Sequence, residues 1–234
     1  MRKNLMMALT LTAACTPPKS GDEVATSDMV AYLDVTSDGT TSTVTASFTY
    51  GSGVPVTYVQ LGLEDTLTAT VADLSKEMGE LVAGDLVSYV VSFDDTAADT
   101  MFTVDLERGA DTSAPASVAT LPPPFDISGS EPDQTWSRGG EDITLSWAGD
   151  TAGDRMTLTA DGDCIDDYEQ SIDEDTGSVV VTAGSLPSTT GKEAEACEVT
   201  FWLKRDRSGE LDPAYAGGTF SAKQYRTITV YAEP

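Results

Sequence analysis

Residues 44–50 read Val-Thr-Ala-Ser-Phe-Thr-Tyr. Val44, Ala46, Phe48 and Tyr50 alternate with Thr45, Ser47 and Thr49, a period of two that turns one face of an extended segment inward and the other to water. The same alternation returns at Leu67-Ala69-Val71, at Val87-Tyr89-Val91-Phe93 and at Phe102-Val104-Leu106. It resumes at Ile143-Leu145-Trp147 and at Met156-Leu158-Ala160, followed by strand-like runs over 178–182, 197–204 and 226–231. Valine and threonine dominate these runs; both are stiff at χ1 and favour strand over helix. Gly, Asp and Ser clusters such as Ser37-Asp-Gly separate them as turns. The one helix-like stretch is Val71–Met78. Short strands at this spacing predict an all-β fold of two antiparallel β-sandwich domains.

Composition sets the boundaries. The chain begins with Arg2 and Lys3, a short apolar run from Leu5, and Ala13-Ala14 before Cys15. That is the layout of a secretory signal, and a cysteine directly after two alanines resembles the lipobox of bacterial lipoproteins. Thr12 stands where that motif usually carries a large aliphatic residue, with Leu11 one place earlier. The expectation is a signal peptide over 1–14, lipidation at Cys15 and a flexible spacer over 15–28. An N-terminal sandwich over 29–110 follows. Residues 111–124 end in Pro122-Pro123-Pro124, which cannot donate to a ladder, and read as an interdomain connector. The C-terminal sandwich then spans 125–234. The expected location is the cell envelope, at the outer membrane on its periplasmic or surface side, with the lipid as the membrane contact.

The whole chain carries a net charge of −26; without residues 1–14 it has 11 basic and 39 acidic residues, a net −28. A field of that sign repels nucleic acid. Other envelope proteins or glycans are the partners the composition leaves open. There is no histidine, which removes Ser-His-Asp and Cys-His catalysis and histidine-bound metals. Paired carboxylates could serve a hydrolase, but no pair stands out from the acidic background. The reading is a structural or binding module, not an enzyme, with a calcium- or glycan-binding module as the alternative and a carboxylate hydrolase behind it.

Three features remain as candidate sites. Cys164 continues the inward phase of Met156, Leu158 and Ala160, and Cys197 shares the phase of Val199, Phe201 and Leu203. A disulfide between them would close a 33-residue loop, contributing about 3–4 kcal/mol on a chain-entropy account, unless Gly162 bulges the strand and breaks the phase. The densest acidic cluster, 161–175, offers Asp161, Asp163, Asp166 and Asp167 as oxygen ligands of the kind calcium takes. It lacks the EF-hand spacing and turn glycine, so a solvated acidic loop competes with a calcium site, and no other cofactor is expected. Of the tryptophans, Trp147 is in phase with core residues, whereas Trp202 is out of phase with Phe201 and Leu203 and points outward or into a domain interface, where packing is the favoured role. The basic cluster Lys204-Arg-Asp-Arg207 reads as pairing with surrounding acids.

Several short pieces occur in a distinctive order over residues 110–234: Leu121-Pro-Pro-Pro-Phe125, Ile143-Thr-Leu-Ser-Trp147, Gly162-Asp-Cys164, Asp175-Thr-Gly-Ser178, Cys197-Glu-Val-Thr200, Arg207-Ser-Gly-Glu-Leu-Asp-Pro213 and Gln224-Tyr-Arg226. In these the chain resembles uncharacterised exported lipoproteins of myxobacteria and their relatives. The resemblance implies a secreted, immunoglobulin-like β architecture, and it carries over no catalytic residues.

Overall fold

A computed structural model describes residues 17–51, 56–128, 134–150, 153–172 and 175–234. Cys15 lies outside them. In the first half the strands are β1 (Lys19–Ser20), β2 (Met29–Ser37), β3 (Ser42–Tyr50), β4 (Thr57–Gln60) and β5 (Thr66–Val71). Then come β6 (Leu74–Glu77), β7 (Gly79–Ala83), β8 (Leu86–Phe93), β9 (Met101–Glu107) and β10 (Ala114–Thr120). The second half adds β11 (Thr135–Ser137), β12 (Ile143–Ser146), β13 (Arg155–Asp161) and β14 (Tyr168–Ile172). It closes with β15 (Ser178–Val181), β16 (Cys197–Ser208) and β17 (Gly217–Glu233). Apart from two short 3₁₀ turns, all regular structure among the described residues is strand, as expected.

The alternation read from sequence decides what is inside. Val44, Ala46 and Phe48 of β3 are fully buried and stand opposite Val35, Leu33 and Ala31 of β2. Leu67-Ala69-Val71, Phe102-Val104-Leu106 and Met156-Leu158-Ala160 are likewise buried. Tyr50 departs from its phase. At the end of β3 the inward place passes to Thr49, and Tyr50 lies 38% exposed with the Lys19 ammonium 4.4 Å from its ring. The helix-like stretch 71–78 is instead a hairpin: β5 and β6 pair through Val71–Leu74, with Ala72 at φ +49° in the turn. Strand pairing of β5 with β6 and β9 outweighs the helical propensity of so short a run, even with Ala72 held in a left-handed conformation.

The strands form one eleven-stranded sheet, one four-stranded sheet in the order β10-β9-β5-β6, and the pair β12–β15. The large sheet runs β1-β4-β3-β2-β17-β16-β13-β14, with β8 also on β3, β7 on β8, and β11 on β17. Its first half encloses one core with the four-stranded sheet, built around Leu33, Phe48, Phe93 and Phe102. Its second half encloses another with β12–β15, built around Leu145, Leu158, Phe201 and Val230.

β17 belongs to both. Over Gly217–Gln224 it runs parallel to β2, and over Tyr231–Glu233 parallel to β11, while β16 pairs with it antiparallel from Cys197 to Ser208. A strand of 17 residues is about 55 Å long, enough to cross two cores. Its inward row reads Phe220, Ala222, Gln224, Arg226, Ile228, Val230, Ala232. The first two belong to one core, the last three to the other, and a polar pair stands between. Gly218 permits the approach to β2: a Cβ there would sit 1.8 Å from the Ala31 carbonyl oxygen.

Two expected boundaries therefore read differently in the structure. The expected connector 111–124 carries a strand, β10 paired with β9, and its Ala114, Ala119 and Leu121 lie in the first core. The core changes only between Leu121 and Phe125, and Tyr215, Phe220 and Ala222 return to the first from beyond residue 125. Residues 19–28, expected as flexible spacer, are bound to the first core. β1 pairs with β4, Val24 is buried, and Arg108 donates to the carbonyls of Gly21 and Val24 and to the Thr26 hydroxyl. Arg108 also pairs with Asp65 at 3.1 Å, both side chains buried, so an internal cation collects carbonyls that a polar composition alone had assigned to solvent.

Phe220→Ala tests whether β17 supports the first core. The substitution should cost about 3–5 kcal/mol in urea unfolding, as expected for a buried phenylalanine. A loss below about 1 kcal/mol would contradict the placement.

Candidate functional site

The register of the large sheet arranges its outward side chains in rows across the strands. One row runs Glu169, Thr159, Trp202, Thr227 over β14, β13, β16 and β17. The next runs Ser171, Thr157, Lys204, Tyr225, and the next Arg155, Asp206, Lys223, Thr36. The β13, β14 and β16 members of the second and third rows, with Glu169 and Lys223, line a groove of about 780 Å³, whose charged members are Arg155, Glu169, Lys204, Asp206 and Lys223. Arg155 donates to Asp206 at 2.8 Å, and Lys223 pairs with Asp34 on β2, which also accepts from Ser221. Among the described residues Lys204 has no ion-pair partner. The groove is thus close to charge-balanced on a chain of net −26.

Beside it, sharing Glu169, lies a second hollow of about 410 Å³ lined by Trp202, Tyr168, Thr159, Asp161, Asp167 and Glu169. Trp202 is 44% exposed, and its ring centroid lies 6.0 Å from that of Tyr225 at an interplanar angle of 33°. It faces outward and backs onto Tyr225, so the interface-packing role expected for it does not hold. The reason is its phase: Thr159 and Thr227, its cross-strand neighbours, stand on the solvent face. The other two tryptophans are buried with satisfied N–H groups, Trp136 donating to the Glu141 carbonyl at 2.7 Å and Trp147 to Asp175 at 2.5 Å.

The acidic segment is split by the fold. Asp161 ends β13 and, with Asp167, lines the second hollow; Asp163 and Asp166 lie outside it. Between them Cys164 and Ile165 turn into the core, which splays the neighbouring carboxylates. Among the described residues no group of three or more Asp, Glu or Cys side chains is gathered in a way that could hold a metal ion. Asp175, at the end of the same acidic stretch, is not a solvated residue at all. Its carboxylate is buried, accepts the Trp147 indole N–H and lies 2.6 Å from the Arg205 guanidinium.

Cys164 and Cys197 are joined by a disulfide with 5.8 Å between Cα atoms. Cys164 is buried in the second core and Cys197 packs against it, so the phase argument holds for this pair although β13 ends before Gly162. Gly162 is the point of close approach, since a Cβ there would lie 2.7 Å from the Glu198 carbonyl oxygen. The bridge ties the loop that carries Asp167 to the start of β16, five strand positions from Trp202. Arg138 clamps the same region from within, donating to the Cys164 carbonyl at 2.8 Å and to the Glu195 carbonyl at 2.7 Å.

The basic cluster serves the interior. Lys204 and Asp206 face the groove, whereas Arg205 and Arg207 point the other way. Arg205 is buried, donates to the carbonyls of Pro123 and Ala148 at 2.7 and 2.8 Å, and lies 4.9 Å from the Phe125 ring. Arg207 donates twice to Asp154 at 2.8 Å, to Asp99 at 2.7 Å and to the Leu121 carbonyl at 3.2 Å. The hydrogen bonds to Asp154 hold its guanidinium pKa above the ordinary arginine value. Sequence reading expected pairing with acids here; it did not find that the pairs are internal, nor that Arg108 and Arg138 are buried clamps. The signal available was phase, because Arg205 and Arg207 continue the inward row of Phe201 and Leu203.

No family model matches the chain, and no curated protein matches it. Among solved structures it is similar to the FN1–FN3 domains of chicken CNTN1, with 12% identity over 93% of this chain and 66% of that one at a TM-score of 0.30. A segment of two fibronectin type III domains from chicken tenascin shows 13% identity over 86% and 97% at 0.25. Scores this low carry no argument about activity, and the all-β architecture stands on the strand pairing itself.

Replacing both cysteines, Cys164→Ala with Cys197→Ala, should cost about 2–5 kcal/mol, read as an earlier urea midpoint. Labelling of free thiols in the denatured, unreduced native protein should find neither Cys164 nor Cys197; recovery of both as free thiols would contradict the bridge.

Proposed function

We propose that the chain is a lipid-anchored protein of the cell envelope that acts as a structural or binding module without catalysis. The observation that supports this most is the outward face of the large sheet. It is a broad, grooved surface of polar side chains from several strands, held on a frame whose Arg108, Arg138, Arg205 and Arg207 are spent on internal ties. Arg155 and Lys223 meet carboxylates across the strands, an arrangement that suits holding a ligand or a neighbour more than moving protons.

The anchor in this reading is Cys15, which follows Ala13-Ala14 at the end of the short apolar run. The resemblance of residues 110–234 to exported lipoproteins of myxobacterial type points the same way, and an outer-membrane location goes with it. Lys19, the first residue paired into the sheet, lies four positions beyond Cys15, a reach of at most about 14 Å. A lipid on Cys15 would therefore hold the body against the bilayer surface. The segment between is too short to let it range freely.

Cys15→Ser is the direct test. In fractionated cells the wild type should follow the membranes, and the variant should appear in the soluble fraction or accumulate unprocessed. Equal membrane retention of a processed variant would contradict the anchor.

A further inference from the structure

The geometry points to the hollow beside Trp202 as a binding site for an organic cation, an alkylammonium group carried by a small amine or by a lysine side chain. This deepens the binding-module reading and rests on it.

Three observations converge. The first is the indole. Trp202 is 44% exposed in the middle of a sheet, backed by Tyr225 and lining a concavity. The face of tryptophan carries the most negative quadrupole of the aromatic side chains and attracts cations lying within about 6 Å of the ring. The second is the charge around it. Asp161, Asp167 and Glu169 line the same hollow and are exposed, and none of the three carboxylates is engaged in a hydrogen bond or ion pair among the described residues. Among the described residues no cation lines the hollow itself. Lys192 donates to the Asp163 carbonyl and Arg155 pairs with Asp206, while Lys204, unpaired and two residues from Trp202 on the same face, lines the adjoining groove that shares Glu169. A concavity with low-dielectric walls and charge of one sign focuses its field on the ligand.

The third is what the carboxylates are not. They are not gathered into a metal-holding set, so the chelation that calcium needs is absent from this arrangement of the described residues. A diffuse alkylammonium group asks for less: negative potential on several sides, a π face, and room. About 410 Å³ is room for such a group and several carbons attached to it. An anionic ligand would meet three uncompensated carboxylates, and a neutral sugar could use the indole but would leave those charges unneutralised. The described residues of this loop thus offer more to an amine than to calcium.

Titration of the full chain at low ionic strength tests this, with Trp202 fluorescence as the first readout because Trp136 and Trp147 are buried. Calorimetry follows the variants that lack the indole. The probes are spermidine, an N-acetylated and C-amidated Gly-Lys-Gly peptide, a neutral hexose oligomer and calcium chloride. At least one of the two amines should bind saturably, and which one does separates a free polyamine from a lysine side chain as the source. Trp202→Ala should weaken that binding about tenfold, and Trp202→Phe by less. The triple change Asp161→Asn, Asp167→Asn, Glu169→Gln should weaken it at least as much. Asp73→Asn, Asp94→Asn, Glu107→Gln removes the same charge from exposed positions elsewhere and should leave it nearly unchanged. Absence of saturable binding by either amine would overturn the proposal. So would binding that the first triple change and the control weaken equally, which is attraction to an acidic surface only, and so would binding of the hexose oligomer or calcium alone. None of these results touches the fractionation of Cys15→Ser, so the two readings fail separately.

Discussion

Everything else in this molecule depends on β17 running unbroken through two cores, with β16 laddered to it. Its inward row is apolar at both ends and polar in the middle, where Gln224 and Arg226 stand beside Arg205 and Arg207 at the end of the inward row of β16. Arg205 and Arg207 meet the chain just after β10, which cannot donate to a strand because Pro122, Pro123 and Pro124 have no N–H to give. The carbonyls still need donors. Arg205 supplies one to Pro123, Arg207 one to Leu121, and Gln224 one to the Thr96 carbonyl in the loop after β8. The seam between the cores is thus a polar layer that is hydrogen-bonded on both sides, and the ladder of β16 and β17 carries the sheet across it.

That solution uses scarce material. Beyond residue 14 the chain has 11 basic residues, and Arg108, Arg138, Arg205 and Arg207 are all engaged in internal contacts. Burying a cation is costly unless it is paired and hydrogen-bonded, and removing one partner of a buried pair typically costs about 3–5 kcal/mol. Here each arginine collects two or more oxygens from segments far apart in sequence. They work as clamps on irregular chain, where neither strand ladders nor a large apolar surface is available. The consequence, among the described residues, is an outer surface on which most carboxylates have no partner, and beside Trp202 three of them share a hollow with an exposed indole.

Much of the fold was legible because alternation is a local property. Val44, Leu67, Phe102 and Leu158 declare their faces through the residues two places away, and the phase of Cys164 and Cys197 places both thiols at the same core. What alternation does not encode is which strand lies beside which. Nothing in Gly217–Gln224 names β2 as its neighbour, so the return of Phe220 and Ala222 to the first core escaped a reading that cut the chain at its prolines. The buried arginines escaped for another reason. A charged residue is read as solvent-facing by composition, although the phase of Arg205 with Phe201 and Leu203 pointed inward. At the candidate site Trp202 was legible as out of phase, but its grouping with Asp161, Asp167 and Glu169 needs the register of three strands at once.

The central claim is that β17 completes the first core, so that the chain before the connector is not self-sufficient. A fragment of residues 17–124, examined by near-ultraviolet circular dichroism and urea unfolding, tests it most directly. Without β17 the outer edge of β2 is unpaired, and the core loses Tyr215, Phe220 and Ala222. The account predicts a fragment with no cooperative transition and little fixed aromatic signal. A cooperative unfolding curve at the midpoint of the intact chain would contradict it.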